Sequence, residues 1–182
     1  MLDYEFLYII SIPIYVIFII VLKVKKIRFN KILLYSLFYF YIISLLAVTL
    51  FPIPIQGLNE IGIYNKDTNN YIPFMSIIDI INKQLDIIIK IKQIIGNIVL
   101  FIPMGFFVPL IWENKKFINK TLLIVLLCTI GIEITQLFIS NLIGFSYKIT
   151  DVDDILLNSL GGIIGFYLYK MFQGSFFDIF KK

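Results

Sequence analysis

Long apolar runs separated by short polar breaks dominate the chain. The runs extend over about Phe6–Leu22 (interrupted only by Ser11 and Pro13), Ile32–Phe51, Ile94–Trp112, Thr121–Ser140 and Val152–Phe172. Each approaches the roughly 20 residues that a helix needs to cross a ~30 Å hydrocarbon layer. Lipid offers the backbone no hydrogen-bond partners, so such runs must be helices or strands of a closed barrel. They lack the strict apolar–polar alternation of barrel strands. The pattern therefore predicts an all-α, polytopic transmembrane helical bundle of about five spans. No internal repeat or low-complexity linker interrupts it, so residues 1–182 are expected to form a single domain. The first run is too long for a signal-peptide core and no small-residue cleavage site follows it, so it is expected to be retained.

A different period marks the long connection between the second and third runs. From Ser76 to Gln93 the polar residues Asp79, Asn82, Lys83, Asp86, Lys90 and Gln93 recur every three or four positions. Ile78, Ile81, Leu85, Ile88 and Ile89 group elsewhere on the wheel. This predicts an amphipathic helix, lying in the membrane interface or packed over the mouth of the bundle.

Composition agrees with the pattern. Hydrophobic residues make up 59% of the chain and charged residues 15%, against about 25% charged in an average soluble domain. Cys128 is the only cysteine and histidine is absent. An internal disulfide, His-based zinc sites and Ser-His-Asp or Cys-His catalysis are thereby excluded. The net charge of +4 is set beside the spans, which argues for topology and against nucleic acid. Lys23, Lys25, Lys26, Arg28 and Lys31 follow the first run, Lys115, Lys116 and Lys120 follow the third, and Lys170, Lys181 and Lys182 end the chain. Five spans put all three groups on one side, which the positive-inside rule makes cytoplasmic. The N-terminus, with Asp3 and Glu5, is then expected outside and the C-terminus inside.

Polar residues within the spans cost about 2.5–3.5 kcal/mol each when ionisable, even on the most lenient insertion scale. The fourth run carries Thr129, Glu133, Gln136 and Ser140 on one stripe. The fifth opens with Asp151, Asp153 and Asp154 and continues with Asn158, Gly161 and Gly165, while the third begins Gly96-Asn97. In the expected topology all three runs hold these groups in the outer third; Glu133 lies about 10 Å deep, from a rise of ~1.5 Å per residue. Convergence of Asn97, Glu133, Gln136, Asp154 and Asn158 would make a polar pocket opening to the outer leaflet. Plainer readings stand beside this one. Asp151 suits an N-cap and Asp153 the positive end of a helix dipole. Gly161-x-x-x-Gly165 suits close helix packing, Asn97 and Gln136 suit interhelical hydrogen bonds, and Pro103 suits a kink.

At these residues the chain resembles the VanZ-like family of bacterial membrane proteins. The resemblance covers about residues 32–170 and rests on Thr49-Leu50-Phe51-Pro52, Asn70-Tyr71-Ile72-Pro73-Phe74, Asn97 to Gly105, Glu133-Ile134-Thr135-Gln136 and Asp151 to Gly162. The family often has Arg where this chain has Lys148, which keeps the charge but loses the bidentate fork. The resemblance implies a multi-pass protein of the bacterial plasma membrane linked to raised resistance to teicoplanin; no cofactor or metal is expected. It extends the candidate pocket to Asn97, Glu133, Gln136, Lys148, Asp151, Asp154 and Asn158. The expected partners are membrane lipid and a lipoglycopeptide antibiotic or lipid-linked cell-wall precursor. Catalytic residues are not assigned, and a non-enzymatic role leads. Two alternatives remain open: an intramembrane enzyme acting on a lipid-linked substrate through Glu133 and Asp154, and a small-solute transporter.

Overall fold

The computed structural model describes residues 1–54, 69–83, 86–112 and 118–172. These residues form six helices: α1 (Tyr4–Val24), α2 (Phe29–Leu50), α3 (Met75–Asn82), α4 (Ile87–Ile111), α5 (Ile118–Ile143) and α6 (Val152–Phe172). All but α3 are long and apolar enough to cross a membrane. The expected all-α architecture with five candidate spans is therefore observed. Among the described residues the only extended pairings are two isolated bridges, Leu2 with Ile53 and Asn70 with Asp151.

The connection before α4 differs from the sequence expectation. The amphipathic stretch is not one helix over 76–93, because α3 ends at Asn82 and Lys83 is extended (φ −61°, ψ 144°). Asp86 then starts a new helix, its side chain accepting the Ile88 amide hydrogen at 3.1 Å. Asp86 is thus an N-cap, satisfying one of the donors that a helix start leaves open, and the third span begins at Ile87 rather than Ile94. Leu85, the basic residues Lys115 and Lys116, and the terminal Lys181 and Lys182 lie outside the described residues. The helix α4 continues through Pro103 and Pro109, although each removes one ladder hydrogen bond.

The described residues fall into two compact units, α1 and α2 with residues 170–172 in one, and α3 to α6 as far as Tyr169 in the other. In the first, α1 and α2 form a hairpin sealed by aromatic rings. Tyr15 packs on Phe40 and Tyr39 with centroids 4.9 and 5.2 Å apart. The ring hydroxyls find partners across the hairpin, Tyr15 donating to Ser36 Oγ at 2.9 Å and Tyr39 to the Ser11 carbonyl at 2.6 Å. Such pairing lets a Tyr sit in apolar surroundings without leaving its hydroxyl unsatisfied.

In the second unit the glycines set the spacing. A Cβ on Gly161 would collide with the Ile98 carbonyl oxygen, and one on Gly165 with that of Ile102. A Cβ on Gly105 would in turn strike the Gly162 carbonyl. The backbones of α4 and α6 therefore touch, running in the same direction, as small-residue motifs permit in lipid. The other side of α6 meets α5: a Cβ on Gly162 would lie 2.7 Å from the Val125 methyls. Phe101, Met104 and Val125 of this unit are essentially inaccessible.

Candidate functional site

The polar residues of this unit collect where α6 begins. After α5, Gly144 adopts φ 85° and its amide bonds back to the Ser140 carbonyl at 3.0 Å. This left-handed closure, which glycine makes without steric cost, releases the chain into the 145–150 loop leading to Asp151. There Asn70 pairs alongside as a short parallel bridge, its amide donating to the Thr150 carbonyl (2.9 Å) and its carbonyl accepting from Val152 (3.1 Å). Asn70 Nδ2 also donates to Asp151 Oδ1 at 2.8 Å.

Asp151 is the N-cap of α6, its Oδ1 accepting the Asp153 amide hydrogen at 2.8 Å. Its own amide donates to Glu133 Oε2 at 2.9 Å, so the α5 carboxylate holds the start of α6. Asp153 is 1% exposed and turns toward α3. One of its oxygens accepts the Phe74 amide hydrogen and the other that of Ile77 at 3.1 Å. Those two donors lie at the start of α3, whose N-terminus is thus capped by a residue from another helix. Asp154 accepts from Asn97 Nδ2 of α4. One turn deeper, Asn158 Nδ2 donates to Thr129 Oγ1 at 2.8 Å. Three spans therefore exchange side-chain hydrogen bonds across two levels.

Most of the expected pocket residues meet here. Glu133, Asp151 and Asp154 interact electrostatically, and Glu133 also interacts with Lys148. Asn97 and Asn158 sit in the same assembly through their partners. Gln136 is buried on the α5 stripe, one turn from Glu133 toward the α5 C-terminus. Lys148 is half-buried in the loop before α6; burial pulls its ammonium below the usual lysine range, while Glu133 acts in the opposite sense. Among the described residues Asn158 Oδ1 and Thr150 Oγ1 are buried without a hydrogen-bond partner, and a buried polar atom of this kind costs about 1–3 kcal/mol. Among the described residues no group of three or more Asp, Glu or Cys side chains is arranged to hold a metal ion.

Two participants escape a reading of the spans alone: Asn69, whose Oδ1 accepts the Thr150 amide hydrogen at 3.0 Å, and Asn70; Thr129 and Asp153 stood out as polar positions of their spans but not as members of the pocket. Asn70 left a signal in the Asn70–Phe74 stretch, but nothing local says that it pairs with a segment 81 positions away.

The architecture and the cluster define a multi-pass helical membrane protein with a buried polar assembly at one end of three spans. The chain belongs to the VanZ/LLP1 family, whose pattern it matches over residues 38–173. It is 26% identical over 142 residues to "Protein VanZ" of Enterococcus faecium, an alignment covering 78% of this chain and 76% of that protein. No solved structure matches the chain.

Proposed function

We propose that this VanZ-like protein acts in the bacterial plasma membrane, lowering susceptibility to teicoplanin-type lipoglycopeptides by handling a lipid-bearing ligand at the outer leaflet. The observation that carries this reading is the junction of α4, α5 and α6, where Asn97, Glu133, Asp151, Asp154 and Asn158 are tied together at one end of apolar spans. Intramembrane polar groups of this kind face a bundle interior or a ligand path by default. An amphiphile suits such a place, because its chains can lie along Ile and Leu side chains while its head group meets carboxylates, amides and Lys148. Kinship with a protein named VanZ supports the same direction. In this reading the N-terminus is outside, the C-terminus is cytoplasmic, and the cluster lies near the outer surface.

The test is a teicoplanin and vancomycin dose response in a sensitive Gram-positive host, with membrane levels compared by blot. Wild-type protein is expected to protect against teicoplanin more than vancomycin, and both Glu133→Gln and Asp154→Asn to lose that protection at equal abundance. Each variant keeps an oxygen acceptor for its partner (Asp151 N–H or Asn97 Nδ2), so lost function will not reflect a collapsed junction. Full protection by both variants would remove the cluster from the mechanism. A well-expressed wild type that protects against neither drug would separate this chain from the antibiotic phenotype.

A further inference from the structure

The helix α3 is held at both ends by the spanning helices. Its first turn is capped by Asp153 of α6, and the Ile81 carbonyl at its far end accepts from Lys90 Nζ of α4 at 2.6 Å. Eight residues make a helix of about 12 Å, too short to be stable alone in water; these clamps supply what its length does not. Around its axis, Ser76, Asp79 and Asn82 form a polar strip. Ile77 and Ile80 are half-buried on the protein side. Ile78 and Ile81 face away from protein and polar strip alike, 54% and 56% exposed.

That uncovered face does not stop at α3. Phe74 and Ile72 before it are exposed too, as are Ile87, Ile88 and Ile91 on the first turns of α4, a helix long and apolar enough to be a span. The α3 face by itself falls short of the about 800 Å² per partner that a stable protein contact needs. Lipid needs no such area, and an amphipathic helix beside a span end has its apolar arc at the acyl boundary and its polar strip in water.

We propose that residues 71–82 form an interfacial membrane anchor, with Ile72, Phe74, Ile78 and Ile81 seated in the acyl boundary of one leaflet. The anchor fixes the depth of the polar cluster. Because Asp153 caps α3 and is followed directly by Asp154, the Asn97–Asp154 pair lies at head-group level, within reach of lipid-borne polar groups. This inference stands apart from the antibiotic reading and does not depend on which leaflet is involved.

The test uses the full chain in phospholipid vesicles. Trp112, the single tryptophan, is replaced by Phe, and a new tryptophan is introduced as Ile78→Trp, Ile81→Trp or Asp79→Trp. Lipids brominated near the carbonyl end of the acyl chain are expected to quench Ile78→Trp and Ile81→Trp more than lipids brominated near the methyl end, with blue-shifted emission. Asp79→Trp is expected to emit further to the red and to be quenched by aqueous iodide. Adding Asp153→Asn should raise iodide access at Ile78→Trp by loosening the cap. Iodide quenching of Ile78→Trp and Ile81→Trp without bromolipid quenching would overturn the anchor, placing the face in water. Blue-shifted emission that neither quencher reaches would also overturn it, placing the face under protein. A failed antibiotic assay alongside shallow bromolipid quenching would sink the proposed function and leave the anchor standing.

Discussion

At the scale of single residues, Glu133 shows how a carboxylate inside a span holds the start of a neighbouring helix. Its Oε2 accepts the Asp151 amide hydrogen while the side chain is 4% exposed. Gln at this position retains an acceptor, whereas Leu leaves a buried N–H unmet at a cost of about 1–3 kcal/mol. Glu133→Leu is therefore expected to lower the thermal midpoint in detergent well below that of Glu133→Gln, which should stay near wild type. Equal midpoints would mean that this hydrogen bond contributes nothing to holding α6. The cost of a carboxylate in a span made Glu133 legible from the sequence, as did the turn position of Asp151. Asp153 was legible only as an acid suited to a helix dipole. Its actual partners, the first amides of α3, are 76 and 79 positions away, and no local period records a contact of that kind.

Among the elements, the α4–α6 contact is decided by where glycine sits on each helix. Replacement of Gly161 or Gly165 by Ala forces a methyl into a facing carbonyl, and such overpacking typically costs about 1–3 kcal/mol. Gly96 and Gly131 have nothing within 4 Å of an added Cβ. Their Ala variants are expected to be neutral or to gain up to about 1 kcal/mol from helix propensity. Thermal unfolding of the four variants in one detergent checks this contrast; a loss at Gly96 as large as at Gly161 would refute the packing argument. The Gly161-x-x-x-Gly165 spacing announced a contact face in advance, but not that its partner is the backbone around Ile98 and Ile102. The break between α3 and α4 was hidden for a related reason. Asp79, Asn82, Asp86 and Lys90 continue one helical period across it, so periodicity ran on while the cap at Asp86 restarted the helix.

For the molecule as a whole, the expected topology rests on charge. With five spans, the Lys23–Lys31 turn and the loop after α5 fall on opposite sides of the membrane. In a Cys128→Ser background, a membrane-impermeant maleimide added to intact cells is expected to label Gly144→Cys and to spare Lys26→Cys until the cells are opened. The reverse pattern would invert the orientation and place the polar cluster on the cytoplasmic side.

The sequence by itself determined the number and approximate extent of the spans, because the hydrocarbon thickness and the missing backbone partners in lipid act on every residue of a run at once. It also determined which polar residues required an explanation, since the cost of burying each is local. Only the tertiary structure decided their partners. It paired Asn97 with Asp154, Glu133 with the Asp151 amide, and Asp153 with α3, because hydrogen bonds depend on angstrom-scale approach between segments far apart in the chain. Between α4 and α6 that approach is set by glycines whose empty side is visible only once the facing backbone is in place.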